Sequence, residues 1–273
     1  MNDSVAELII QSHKKATPSE KRMGKKLLSL DMGEVVYMSI TELSEKISSS
    51  EATILRYCRK LGFKGFQDFK LAISRDLALK EKEGDLSPTS FFLSNISKAL
   101  EKEAEAIDEE DIEIVSNKLL SSRKIAAFGV GSSHVAPTFL KQRLLAVGKY
   151  VMAEESSHSM AAIASNLSNK DICILFSVTG STKDILDAAR LAKANSAYIV
   201  SITSYPSSPL GKFSDIILSS CTKEAAPYRG GVTQTMGQLF IAGLISEKCY
   251  SILGKEGEKI ASKTISNFSD KLI

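Results

Sequence analysis

The sequence predicts an all-α domain followed by an α/β domain whose five-stranded parallel sheet is flanked by helices. Three observations carry this reading. Up to about residue 80 the apolar residues follow only a helical period. From Lys124 onward, short apolar runs alternate with helical patterns, the texture of β-α-β units. Between the two the charge changes sign: residues 1–80 carry a net +4, residues 81–115 a net −8 and residues 116–273 a net +7. Shifts of this kind mark unit boundaries. The expected division is therefore 1–80, a linker and acidic helix over 81–106, and 107–273.

Composition bounds the class. The chain has 273 residues, 43% apolar and 25% charged, ordinary for a globular protein. No apolar run reaches the roughly 18 residues of a membrane span. The opening "MNDSVAELII" lacks the basic region of a signal peptide. The four cysteines, Cys58, Cys173, Cys221 and Cys249, form no C-x-x-C pair. A disulfide framework, a metal site and a cofactor are not expected, and the cytoplasm is the expected compartment.

The N-terminal elements follow in order. "SVAELIIQSHKK" places Val5, Leu8 and Ile9 at helical spacing. "TPSE", Thr17 to Glu20, is a capping box with proline at the first helical position. "SITE", Ser39 to Glu42, is a second, after which Ile40, Leu43 and Ile47 form one stripe. "SSS" at 48–50 interrupts the pattern. A third helix runs from about Glu51 to Leu61, and "LGFKGF" stops it with glycine. "QDFKLAISRDLAL" is a fourth helix. "EKEGDLSPTS" reads as a linker, and the acidic run from Phe91 to Leu120 as one or two amphipathic helices.

Two short helices joined by a serine turn match a helix-turn-helix. On the second, Ile54, Cys58 and Leu61 share one side, flanked by Leu55 and Tyr57. Ala52, Thr53, Arg56, Arg59 and Lys60 share the opposite arc. Small residues near the helix start and arginines behind them suit a major-groove reader; an ordinary solvated face is the plain alternative. Ser50 begins the helix, and Lys64 and Lys70 fit phosphate contacts. The stretch "SITELSEKISSSEATILRYCRKLGFKGFQDFKLAI" resembles the winged-helix-type DNA-binding domain of the RpiR family of bacterial transcription regulators. The resemblance covers roughly residues 4–80. It implies that double-stranded operator DNA is contacted by Ser50, Ala52, Thr53, Arg56, Arg59, Lys60 and Lys64.

In the second domain the apolar runs "IAAFGV", "YVMA", "DICILFSV", "AYIVSIT" and "DIILSS" predict five strands buried on both faces. Helical patterns lie between them near 134–147, 159–167, 182–194 and 208–213. The long helix "TQTMGQLFIAGLISEKCYSIL" and a polar tail close the chain.

Two turns carry the chemistry. "FGVGSSH" follows the first strand and "FSVTGST" the third. Each passes from strand to helix through glycine and short hydroxyls. Ligands of open α/β sheets bind beyond the carboxyl ends of the strands, and backbone N–H groups at a helix start attract anions. Ser181 to Asp184 reads as a capping box. Helix capping alone is the structural alternative. A degraded dinucleotide fingerprint is another, with Glu154 as its acid, but His134 fills the position where glycine is needed for close packing.

The pair of turns resembles the SIS (sugar isomerase) domain, which binds phosphosugars. Gly129-Val130-Gly131-Ser132-Ser133 is similar to its G-x-G-x-S loop. Ser177, Thr179, Gly180 and Thr182 match its S-x-S-G-x-T loop, with threonine for the middle serine. The match covers about residues 107–251. It implies a phosphate held by Gly131, Ser132, Ser133, Ser177, Val178, Thr179, Gly180 and Thr182, with His158 near the sugar. Glu224 and Arg229 either reach the sugar or are solvated.

Isomerisation needs a positioned base, and His134, His158, Glu154, Glu155 and Glu224 are the candidates. They do not assemble an obvious acid–base pair in the sequence. The combination implies a regulator of sugar or amino-sugar metabolism, a homodimer or homotetramer that responds to a phosphosugar. A phosphosugar isomerase or etherase with an added N-terminal domain is the alternative. A DNA-binding protein whose second domain only oligomerises is the plainest.

Overall fold

A computed structural model describes residues 4–269, apart from Tyr37, Ser39, 81–86 and 221–230. The chain divides into two compact units, the first running to Leu93 and the second beginning at Ser94.

The first unit is helical: α1 (Val5–Ser12), α2 (Pro18–Leu28), α3 (Met32–Val35), α4 (Ile40–Lys46), α5 (Glu51–Lys60) and α6 (Phe66–Lys80). Both reciprocal caps that the residues allow at α1 and α2 form. Ser4 pairs with Glu7 and Thr17 with Glu20, each satisfying two helix-end donors. The Ser4 cap and the four-residue α3 were not evident from the periodicity. Ser39 lies outside the described residues, so the second capping box does too. Ile9, Leu27, Leu43, Ile54, Phe69 and Ile73 are fully buried and form the core. A winged helix would add a β-hairpin; among the described residues this unit contains helices only.

The second unit is a three-layer sandwich. After α7 (Pro88–Ala106) and α8 (Glu109–Ser121) come β1 (Ile125–Gly129), α9 (Val135–Leu145), β2 (Val151–Glu154) and α10 (Ser157–Ala164). Then follow β3 (Ile172–Phe176), α11 (Lys183–Ala194), β4 (Tyr198–Thr203), β5 (Ile216–Ser219) and α12 (Val232–Ser269). The division between units falls inside α7. The five strands are parallel, in the order β2-β1-β3-β4-β5. Alternate residues feed two cores. Ile125, Ala127, Ile174, Phe176, Val200 and Ile202 pack under α8, α9 and α12. Ala126, Phe128, Cys173, Leu175 and Ile199 pack under α10 and α11. Period-two alternation sends successive side chains to opposite faces.

The amino end of the sheet is locked by Asp171. Its carboxylate accepts from Arg123 Nε and Nη2 (3.2 and 3.1 Å), the Lys124 N–H (3.0 Å) and both the N–H and hydroxyl of Ser168 (2.8 Å each). Burial pushes its pKa up, but these donors outweigh that and hold it below the ordinary value. The carboxyl end is left for the two turns. At the far end of the chain the expected polar tail is helical: α12 continues beyond a kink at Gly254, whose φ of 50° breaks the helix.

Candidate functional site

In the first unit, α4 and α5 meet through Ser48, which adopts φ 50°. The Ser49 N–H returns to the Ser44 carbonyl (2.9 Å) and the Ser48 N–H to Glu45 (3.1 Å), a glycine-type stop executed by serine. Ser50 then caps α5: the Thr53 N–H donates to Ser50 Oγ (3.2 Å), and the two hydroxyls lie 2.7 Å apart. Gly62 ends α5 at φ 99°, with Phe63 N–H bonded to the Cys58 carbonyl (3.1 Å). Between these stops, Ile54, Tyr57 and Cys58 are buried. Ala52, Arg56, Arg59 and Lys60 are exposed and Thr53 is half-buried, so the two arcs separate as the periodicity requires.

The cations on the outer arc are not equivalent. Lys60 Nζ is 2.6 Å from Glu20 Oε2, the same carboxylate that caps α2. The Lys60 hydrogen bond and the Thr17 N–H hold the Glu20 pKa down to about 2. No salt bridge ties Arg56 or Arg59 among the described residues. Lys64 is exposed. Lys70, expected as a phosphate contact, is instead half-buried. Its ammonium donates to the Met38 carbonyl (3.0 Å) and lies 5.2 Å from the Phe66 ring centroid, and burial lowers its pKa. An amphipathic stem with a nearby carbonyl drew it inward, which a count of charges does not reveal.

In the second unit the two turns leave adjacent strands at one level, since Gly129 of β1 is in register with Phe176 of β3. The helix after β1, α9, packs on one face of the sheet, and the helix after β3, α11, on the other. A crevice therefore opens between β1 and β3, the point where strand order reverses and where open sheets take ligands.

The first turn is a short 3-10 helix, Gly131–His134. A Cβ on Gly129 would come within 2.4 Å of the Ser133 carbonyl oxygen, so only glycine lets the chain fold back on the strand end. Ser132 is exposed, and Ser133 is 9% exposed. In the second turn, Gly180 has φ 58°, and a Cβ there would come within 1.9 Å of Ser208 Oγ. The turn is pinned by Gly180 N–H to Ser177 (3.1 Å), Leu210 N–H to Gly180 (3.0 Å) and Thr203 Oγ1 to the Val178 carbonyl (3.1 Å). Ser177 is buried, Val178 and Thr182 half-buried and Thr179 exposed.

Neither turn spends its hydroxyls on capping. The N-cap residues His134 of α9 and Thr182 of α11 make no side-chain cap bond. The capping box expected from Ser181 to Asp184 does not form. The helix starts one residue later, and Ser181 Oγ donates to the Thr179 carbonyl instead (3.2 Å). Thr182 Oγ1 lies 3.2 Å from Ser177 Oγ. The start of the Gly131–His134 turn, whose N-cap Val130 makes no side-chain cap bond, and the start of α11 thus border one crevice with short hydroxyls beside them, an arrangement that accepts an anion.

His158 is exposed in the first turn of α10, at the end of β2. Glu154 is half-buried and Glu155 exposed. His134 Nε2 is 3.1 Å from Thr138 Oγ1. No acid–base pair forms among these four. Glu224 and Arg229 lie outside the described residues. Sequence reasoning missed the loop after β4, where Ser204 and Ser208 are buried and their hydroxyls have no hydrogen-bond partner. It also missed Gln238 on α12.

Residues 3–80 match the model of the helix-turn-helix domain, rpiR family, and residues 118–242 that of the SIS domain. An uncharacterized HTH-type transcriptional regulator of Haemophilus influenzae is 30% identical over 91% of this chain and 89% of its own. The HTH-type transcriptional regulator HexR of Escherichia coli is 24% identical over 84% of this chain and 81% of its own. Among solved structures, the Vibrio vulnificus NanR protein complexed with ManNAc-6P matches with a TM-score of 0.80 and 25% identity. That match covers 98% of this chain and 99% of the other.

Proposed function

We propose, from the premise that the chain belongs to the RpiR family of helix-turn-helix transcription regulators, that its operator binding is set by a phosphosugar held between the β1 and β3 turns. The observation that carries this is the pair of helix starts at the strand-order reversal, at Gly131 and at Lys183, neither with a side-chain cap and each with short hydroxyls beside it. A phosphate monoester fits them, because N–H and O–H donors meet its oxygens without a buried opposing charge. Gly131, Ser132, Ser133, Ser177, Val178, Thr179, Gly180 and Thr182 form the cradle, and His158 stands on the side of β2. The similar NanR protein is described with an N-acetylamino-sugar phosphate, so that class heads the panel.

The DNA reader is α5. Arg56 and Arg59 face the bases, Ser50, Ala52 and Thr53 allow close approach at the helix start, and Lys60 and Lys64 meet phosphates. Two copies reading two half-sites supply specificity that one motif lacks. Val135, Leu145, Met236 and Ile252 are exposed apolar residues of the second unit that suit pairing. The protein works in the cytoplasm as a binder, not a catalyst.

The test is operator binding by fluorescence anisotropy across a panel of hexose and N-acetylhexosamine 6-phosphates, with product analysis of the same mixtures. A shift in operator affinity of tenfold or more with one member, and no turnover, supports the proposal. Turnover would make the chain an isomerase or etherase. No shift and no rise in melting temperature would leave the second unit an oligomerisation module.

A further inference from the structure

The first two turns of α12 contain a polar group that the fold does not use. Gln238 is 1% exposed, and neither its Nε2 nor its Oε1 has a hydrogen-bond partner. Buried amides are almost always satisfied, and an unsatisfied one lowers stability.

Its position follows from the packing of α12 on α9. A Cβ on Gly243 would meet Phe139 at 3.9 Å, Arg143 Nε donates to Ser246 Oγ (3.3 Å), Arg143 also pairs with Glu247, and Tyr250 Oη donates to the Arg143 carbonyl (3.4 Å). The partners advance together, so the two helices run in the same direction. Stepping back along α12 by the same offset brings Gln238 level with the Gly131–His134 turn. Ile241, Ala242 and Ile245 lie in the core with Ala127, Phe176 and Ile202. Gln238 precedes Ile241 and Ala242 by three and four residues and so shares their stripe.

A second unused group lies on the same face of the sheet. The β3–β4 ladder runs past the strand ends, through Ser177 N–H to Ile202 (3.1 Å) and Ser204 N–H to Val178 (3.0 Å). Alternation therefore puts Ser204 on the side of Ile202. Ser204 is 6% exposed, and its hydroxyl has no partner.

We infer that Gln238 and Ser204 form the wall that reads the uncharged end of the phosphosugar. This rests on the phosphosugar proposal above. The amide offers two donors and an acceptor, and the hydroxyl one donor and two lone pairs. The acceptor lone pairs set this pair apart from the donor-lined cradle: they meet the O–H of a sugar or the N–H of an N-acyl group, which a phosphate dianion does not offer. Sites built to bond a polar ligand group discriminate strongly against ligands that lack it.

The test uses the full chain with Gln238→Met and, separately, Ser204→Ala. Binding is measured by calorimetry for inorganic phosphate and for hexose and N-acetylhexosamine 6-phosphates. Wild type is expected to prefer one sugar phosphate over inorganic phosphate. Each variant should cut that preference tenfold or more, with the Kd for phosphate unchanged within twofold. The ligand-free Gln238→Met protein should melt no lower than wild type, because an unpaired amide has been removed. Variants that keep the preference overturn the inference, as does a parallel loss of phosphate and sugar phosphate. If Gln238→Met does not fold, an unchanged preference in Ser204→Ala is sufficient to overturn it. Wild type that binds phosphate but does not prefer any sugar phosphate overturns it and leaves the anion cradle standing. Wild type that binds neither removes the phosphosugar proposal and this inference together.

Discussion

The hydroxyls of Ser177 and Thr182 lie 3.2 Å apart, one just past β3 and the other at the N-cap of α11. A threonine at that position ordinarily turns back to cap its helix. Here it faces a serine across the turn, leaving the helix donors open.

Thr182→Val keeps the shape and removes one donor to a charged ligand, worth about 1.5–3 kcal/mol. Calorimetry should show phosphosugar affinity lowered at least tenfold. Operator binding without ligand should stay at the wild-type value. A folded variant that no longer binds the operator contradicts the separation of roles.

Gly180→Ala tests the turn itself. Its φ of 58° and the 1.9 Å approach to Ser208 Oγ leave no place for a methyl group. Left-handed strain and overpacking together cost about 2–5 kcal/mol. Urea unfolding followed by circular dichroism should show a lower midpoint, and ligand binding should be lost.

Arg56→Ala should weaken the cognate operator by about 1–3 kcal/mol and random DNA much less. Lys60→Ala should weaken both alike and by less, because Lys60 must leave Glu20 before it reaches a phosphate. Equal loss on both DNAs for Arg56 would make it a backbone contact. Titrations at several salt concentrations separate the two kinds.

Glu20 gives a pH prediction. Its pKa is about 2 in the folded chain against an ordinary 4.5. A lowered carboxyl pKa adds stability above the unfolded value and loses it as pH falls toward 2. Urea midpoints measured at pH 5 and pH 3 should therefore differ less in Glu20→Gln than in wild type.

Much of this was legible because it depends on local rules. The strands are near-continuous apolar runs, and five of them appear where such runs occur. The arcs of α5 follow from a 100° step, and glycine next to hydroxyls marked both turns. What escaped depends on long-range placement. Ser181 and Asp184 have the spacing of a capping box, yet the helix starts one residue later, beside a Gly180 whose carbonyl is held by the Leu210 N–H thirty residues away. Lys70 reads as a surface cation until the Met38 carbonyl and the Phe66 ring are beside it. Gln238 and Ser204 occupy positions where a stripe or an alternation predicts apolar residues, and single polar interruptions of that kind carry no period. Ser48 takes a conformation that glycine usually supplies, which composition does not signal.

The divergence of α9 and α11 to opposite faces of the sheet has a mechanical consequence. Any anion gripped by both turns becomes a clasp across layers that lie on opposite sides of the strands. Occupancy would slow amide exchange at the starts of both helices at once, and the rim of the sheet would stiffen as one piece. A ligand held by a single turn would quiet one layer and leave the other fraying.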